Sequence, residues 1–377
     1  MTINIIKPLI ALAFVASIPV TAFAQAPQAS DRAKQVAATK AFWNSKRIAS
    51  AQPRDFVLDH RGLAYLKGKG GKLSPYGHKS PAVPSPYARG GNGGGGGGGG
   101  KPGGGDTGGT GFENVKNAQW ASGGTVQTAA GRIFFIMGGA GYVCSGTLIN
   151  DGEQTSDRSI ILTAAHCVYD DVAKAFAEAA IFIPNQVATT GSGTDRDCSN
   201  DPRGCWVADF GAVSRGWPAE IFPANIPSDY GYYALGTNSD TSGEFTNAGS
   251  GDAMDSIITP MEVSFGGAAI DTYTRALGYS YSDDPNFMFC GEPVDSSSYD
   301  GYLLPNCGMS GGASGGPWSQ SELDDLGTGP IISVNSYGPS RGKKYMGGPR
   351  LDNTTAECLF VLTKSASPGN TQGIVGC

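Results

Sequence analysis

Two serines stand four residues apart in "GMSGGASGGP", residues 308–317, and both Ser310 and Ser314 sit in a Gly-x-Ser-Gly-Gly frame. Glycine this dense lets the backbone turn tightly and come close to a substrate, which suits a nucleophilic hydroxyl. A serine hydroxyl is a weak nucleophile until an adjacent base takes its proton. The chain has three histidines, His60, His78 and His166. Only His166 lies among the short apolar runs of the later chain, at the end of "LTAAHC", Leu162 to Cys167. A lone histidine is a weak signal, and its setting decides how to read it.

Chain order restricts the chemistry. Gly-x-Ser-x-Gly also describes the nucleophile elbow of α/β-hydrolases, but that fold puts its histidine after the serine, and none follows residue 166. An Asp–His–Ser order would need an upstream acid, Asp151 or Asp157, on an alternating helix–strand pattern that the sequence lacks. His–Asp–Ser on a β fold is what remains.

The elements that must position these groups fit that reading. From Phe112 onward, short apolar runs alternate with Gly, Asn, Asp and Ser. The predicted strands are Arg132–Met137, Tyr142–Ile149, Ser159–Thr163, Val207–Val213, Tyr230–Leu235, Arg275–Tyr279 and Pro330–Ser336. One stretch there, Asp171–Ala180, reads as a helix. Many short strands with Gly-rich turns argue for an all-β barrel or sandwich.

Ahead of this region the texture differs. Residues 1–24 have the form of a secretory signal: Lys7, an apolar run from Leu9 to Val20, then Ala22-Phe23-Ala24. The run is shorter than the ~20 residues a spanning helix needs, so export without a membrane anchor is expected, to the periplasm or the medium. The eight cysteines are even in number and lie outside the signal, as an oxidising compartment allows. The lack of Cys-x-x-Cys and the scarcity of histidine argue against structural zinc. Residues 25–88 form a basic leader, in which only Ala33–Ile48 reads as helical, and 89–111 a glycine-rich linker open to proteases. Residues 25–111 carry a net charge of +9 and residues 112–377 a net charge of −16. A basic leader on an acidic body points to an intramolecular partner rather than to nucleic acid.

"CSGTLI", "LTAAHC", "SDYGYYAL", "CGMSGGASGGPW" and "VNSYG" together resemble the trypsin-like, chymotrypsin-fold serine peptidases, especially secreted bacterial members related to the glutamyl endopeptidases. The resemblance implies a double six-stranded antiparallel β-barrel over 112–377 and a serine endopeptidase that acts on proteins or peptides and needs no metal or organic cofactor. The signal segment adds secretion, and the largely irregular basic leader, by its charge contrast with the body, adds a proenzyme. The leader would serve as an intramolecular inhibitor or chaperone. The competing reading is a catalytically inactive trypsin-fold binding protein.

The same resemblance assigns roles. Ser314 is the nucleophile, because only its frame ends in proline, Pro317. His166 is the general base, and Asp229 of "SDYGYYAL" is the acid that fixes its tautomer. Asp209 is the rival acid, while Asp170 and Asp171 are too near His166 in sequence to reach the far side of the ring. The amides of Gly312 and Ser314 form the oxyanion hole. Gly308, Met309, Asn335, Ser336, Tyr337 and Gly338 form the specificity pocket, which is neutral and suits an apolar or aromatic residue before the cleaved bond. Ala313 replaces the aspartate that many relatives hold before the nucleophile, so activation by a buried ion pair is not expected, and steric cover by the leader takes its place. The expected disulfides are Cys144–Cys167, Cys198–Cys205, Cys290–Cys307 and Cys358–Cys377.

Overall fold

Each of the seven predicted strands is found in the computed structural model, which describes residues 29–77, 113–152, 158–191, 200–236, 253–280, 286–320, 327–352, 354–366 and 373–377. The signal segment, His78 and the glycine-rich linker lie outside the described residues. Among those described, no helix is long and apolar enough to cross a membrane.

Six strands close into a barrel: Ala130–Met137, Ala140–Ile149, Arg158–Thr163, Glu178–Pro184, Trp206–Ser214 and Gly231–Gly236. Closure comes from Arg158–Thr163, which bonds to Gly231–Gly236 on one side and Ala140–Ile149 on the other. Side chains of a strand alternate between faces, and "RIFFIM" is apolar on both. Ile133 and Phe135 join the main core with Leu148, Ile160 and Leu162. Phe134 points to a second cluster with Val143, Ile181 and Ile183, completed by Trp43, Ile48 and Ala51 of the leader. An apolar outer face would be costly in water, at roughly 1.5–3 kcal/mol per large side chain, and the leader covers it.

The second half of the chain forms two sheets. One holds, in order, Ile331–Val334, Pro317–Gln320, Tyr273–Gly278, Met288–Pro293 and Val115–Gln119. The other holds Asp295–Ser297, Gly301–Leu304, Met346–Pro349 and Tyr337–Pro339, and continues into three leader strands, Asp55–Leu58, Ala64–Lys67 and Leu73–Pro75. The leader is therefore more regular between 52 and 75 than its sequence suggested. Its strands are short, and their apolar residues pack both within the leader, as Phe56 does on Tyr76, and against the later domain, as Phe56 does on Phe222. Phe56, Val57 and Leu58 are buried there, whereas Arg61 and Lys72 stay exposed.

Two helix expectations change. Ala33–Ile48 is two helices, Ala29–Phe42 and Ser45–Ser50, with Asn44 capping the second through its side chain. Asp171–Ala180 is not helical. There the Asp170 carboxylate takes up the amides of Val172 and Ala173 at 2.9 and 2.8 Å, a local turn that competes with helix formation. Lys174 and Ala179 have φ of 55° and 50°, and the chain runs on into Glu178–Pro184. The longest helix after residue 112 among the described residues is instead Thr354–Ser365, which buries Ala356, Leu359 and Thr363.

Candidate active site

Strand register brings the histidine and its acid together. Gly231 pairs with Thr163 in an antiparallel ladder, so the turn after Thr163 and the turn before Gly231 lie at the same barrel end. His166 occupies the first, in the short 3-10 turn Ala165–Cys167, and Asp229 the second. Both are fully buried. The imidazole Nδ1 lies 2.8 Å from Asp229 Oδ2 and 3.1 Å from Oδ1, and the His166 amide donates to Oδ1 at 2.9 Å. Ser336 adds a hydroxyl donor to Oδ2 at 2.5 Å. With Asp229 accepting from Nδ1–H, Nε2 is left as the basic nitrogen, and it is buried without a hydrogen-bond partner. Asp209 lines a separate hollow with Lys174 and Phe176.

Ser314 sits in the loop before Pro317–Gln320, which is fastened across the domain. Ser145, on the barrel strand Ala140–Ile149, receives the Ser314 carbonyl on its amide at 2.7 Å and donates its hydroxyl to the Gly312 carbonyl at 2.8 Å. Asn335 lies behind the loop. Its Nδ2 donates to the carbonyls of Ala313 and Leu277 at 2.9 and 2.8 Å, and its Oδ1 accepts from Trp318 Nε1 at 2.8 Å. Asn335 was expected in the pocket and is instead a fully buried brace, because its amide is saturated by the loop it supports. At Gly315, φ is +80° and a Cβ would lie 2.1 Å from Thr163 Oγ1, so glycine alone fits.

A small hollow beside Ser314 is lined by Met309, Ser336, Tyr337, Gly338, Tyr345 and Met346, among others. Gly308, expected in the pocket, is not among the residues lining it; its amide donates to the Lys116 carbonyl at 2.6 Å instead. Ser310 serves the wall, its amide bound to Ser280 Oγ at 3.2 Å. Met309 and Met346 are each 7% exposed, which leaves little depth.

The leader occupies the rest of the cleft, through two residues that the sequence reading did not single out. Asp55 Oδ1 accepts the Gly312 amide at 2.9 Å, so a carboxylate stands at one of the two expected oxyanion donors. The Ser314 hydroxyl turns to the leader as well, 3.5 Å from the Arg54 carbonyl and 3.4 Å from Asp55 Oδ1. Burial, the largest influence, holds the Asp55 carboxyl above the usual carboxylate value, although the Gly312 amide pulls the other way. The Phe56 ring lies 4.9 Å from the imidazole and 4.3 Å from Phe222. Leader strands run parallel to their partners on both sides: Gln52 and Pro53 against Tyr142 and Val143, then Phe56–Leu58 against Tyr337–Pro339. The available signal was "RDFVL", a charged pair opening an apolar run.

Disulfides join Cys144 to Cys167, Cys290 to Cys307 and Cys358 to Cys377. Cys198 lies outside the described residues. The sulfurs of Cys144 and Cys167 lie near the imidazole but are bonded to each other, so they offer no thiolate to a metal.

Known structures share this architecture. The protease Anisep from Arthrobacter nicotinovorans is similar, at 24% identity and a TM-score of 0.51 over 66% of this chain and 100% of that one. So is the thermostable serine protease AL20 from an extremophilic microorganism, at 23% identity and a TM-score of 0.51 over 64% of this chain and 99% of that one. A Glu endopeptidase aligns at 14% identity and a TM-score of 0.47 over 67% of this chain and 98% of that one. The fold is that of the chymotrypsin-like serine proteases. Residues 114–206 match the family model described as lysyl endopeptidase, C-terminal domain. That match covers residues 114–206 of the 377 and, with the shared fold, supports a serine endopeptidase. A search of curated proteins matches none.

Proposed function

We propose that this protein is an exported serine endopeptidase, made as a latent proenzyme whose own leader closes the active site. Ser314 attacks the peptide carbonyl, and His166 Nε2 takes its proton and later delivers it to the leaving amine. Asp229 holds the imidazole in the Nδ1–H tautomer and stabilises its protonated form. The amides of Gly312 and Ser314 stabilise the oxyanion, and water then hydrolyses the acyl-enzyme. The observation that carries the reading is the buried His166–Asp229 pair, bonded at 2.8 Å, beside a serine whose neighbouring Gly312 amide already holds an anionic group.

Latency follows from occupancy. The leader pairs with Tyr142 and Val143 on one flank of the cleft and with Tyr337–Pro339 on the other, so Arg54, Asp55 and Phe56 fill the place a substrate would take. The charge contrast of leader and body supplies less of this than expected, because Arg54 is the buried cation among the leader's described residues and the remaining hold is apolar and strand-borne. Cleavage in the 89–111 linker, after removal of residues 1–24, is the proposed route to the active form.

The matched domain's lysyl name does not extend to this pocket. Among the side chains lining the hollow beside Ser314, the one carboxylate is Asp55, which leaves with the leader. Lys344 of the body also lines that hollow, so the pocket is not neutral as expected; an uncharged or acidic residue before the cleaved bond is the proposed preference, with Met309 and Met346 limiting its size. Peptide hydrolysis by the leader-released enzyme tests the triad. Ser314→Ala and His166→Ala should each lose activity by about 10⁴-fold or more, whereas Ser310→Ala should retain it. Full activity in Ser314→Ala would overturn the assignment.

A further inference from the structure

Resting on the peptidase reading, we propose that the seat of Arg54 is a guanidinium subsite, which selects substrates with an arginine just after the cleaved bond. Arg54 is 2% exposed. Its Nε donates to the His166 carbonyl at 2.7 Å, and its Nη2 lies 3.4 Å from Asp170 Oδ2. The guanidinium also stands 5.5 Å from the Tyr142 ring centre, close enough for a cation–π contact. These three partners belong to the catalytic domain and remain when the leader departs.

The seat is built independently of its occupant. Asp170 Oδ1 is held by the amides of Val172 and Ala173 at 2.9 and 2.8 Å, which aims Oδ2 at the cation. Asp171 next to it is fully buried and fixed by the Phe222 amide and Asn225 Nδ2, both at 2.8 Å. Tyr76 of the leader bridges Arg54 and both aspartates, so leader release uncovers two carboxylates and a backbone carbonyl with no cation among them.

Its position defines which substrate residue it reads. The Arg54 amide donates to the Val143 carbonyl at 3.4 Å, and neither residue lines the hollow assigned to the residue before the cleaved bond, so this flank is left for the residue after it. The Arg54 carbonyl is 3.5 Å from the Ser314 hydroxyl, so the residue seated here is immediate to the reacting bond. The two acceptors face different guanidinium nitrogens. Arginine's planar fork satisfies both at once, whereas a lysine ammonium acts as a single point charge.

The test uses the leader-released enzyme and peptides identical except for the residue after the cleaved bond: Arg, Lys, dimethylarginine, Ala or Glu. The expected order in kcat/KM is Arg, then Lys, then Ala, then Glu. Arg should exceed Ala by on the order of ten- to a hundredfold, as hydrogen bonds to a charged group warrant. Dimethylarginine keeps the charge but loses N–H donors, and falls to the lysine level or below. In Asp170→Asn the Arg-to-Ala ratio should collapse toward one. Equal cleavage of the Arg and Ala peptides by the unaltered enzyme would overturn the inference, as would an undiminished ratio in Asp170→Asn. Failure to cleave any of the peptides would instead overturn the peptidase reading, and this inference with it.

Discussion

A methyl group at Gly311 should unlatch the proenzyme. A Cβ built there would lie 1.6 Å from Asp55 Oδ2, 2.5 Å from its Cγ and 3.0 Å from its Oδ1. All three nearest atoms belong to the leader, and no atom of the catalytic domain comes closer than 3.0 Å. Gly311 is also absent from the positive-φ glycines, and alanine meets no backbone strain. In Gly311→Ala the Asp55 carboxyl must therefore leave its place, giving up the Gly312 amide. A hydrogen bond to a charged group is worth about 1.5–3 kcal/mol, so seating of the leader should weaken by roughly ten- to a hundredfold. The assay is the initial rate of peptide hydrolysis by the full chain, with linker integrity checked on a gel. Basal activity should rise by roughly that factor relative to the unaltered proenzyme, with the leader-released forms within a few-fold of each other. A folded Gly311→Ala chain as latent as the parent would refute the role given to Asp55.

Other consequences follow from the same contacts. Because burial raises the Asp55 carboxyl above its usual 3.8 when the leader is seated, the seated state holds its proton more tightly than the released state. Leader docking is then firmest below about pH 3.8 and weakens as pH rises through the raised value. Hydrogen exchange of the 55–58 amides, corrected for intrinsic rates, should show this trend, and Asp55→Asn should abolish it. Ser336→Ala removes a 2.5 Å hydrogen bond from Asp229. With about 1.5 kcal/mol at stake, kcat should fall roughly tenfold with KM little changed; an equal change in both would assign Ser336 to substrate binding instead. Replacing Cys290 and Cys307, 17 residues apart, removes a cross-link worth about 3 kcal/mol on loop-closure grounds. Denaturant unfolding of the double alanine variant should show a loss of that size.

Much of the site was legible because short motifs carried it. His166 stands one residue before a cysteine that ties the turn to a neighbouring strand, and Asp229 opens the strand that pairs with the one ending at Thr163. Local sequence was thus enough to bring both to one barrel end. The parts that escaped reading depend on contacts between distant segments. Nothing in "VNSYG" tells whether Asn335 faces the pocket or the nucleophile loop; its bonds to Ala313 of that loop and to Leu277 and Trp318 on the adjoining strands decide that. Asp170 diverts an alanine-rich run from helix to turn by capping amides two and three residues ahead. The leader strands are the clearest case: "RDFVL" has few residues, and becomes a strand between Ala64–Lys67 on one side and the distant Tyr337–Pro339 on the other.

The most direct measurement is the reaction of a fluorophosphonate probe with the chain before and after leader release, with the labelled residue mapped by mass spectrometry. The account predicts a single adduct on Ser314, formed slowly while the leader is seated and rapidly once it is gone. An adduct on Ser310, or equal labelling rates in the two forms, would contradict it.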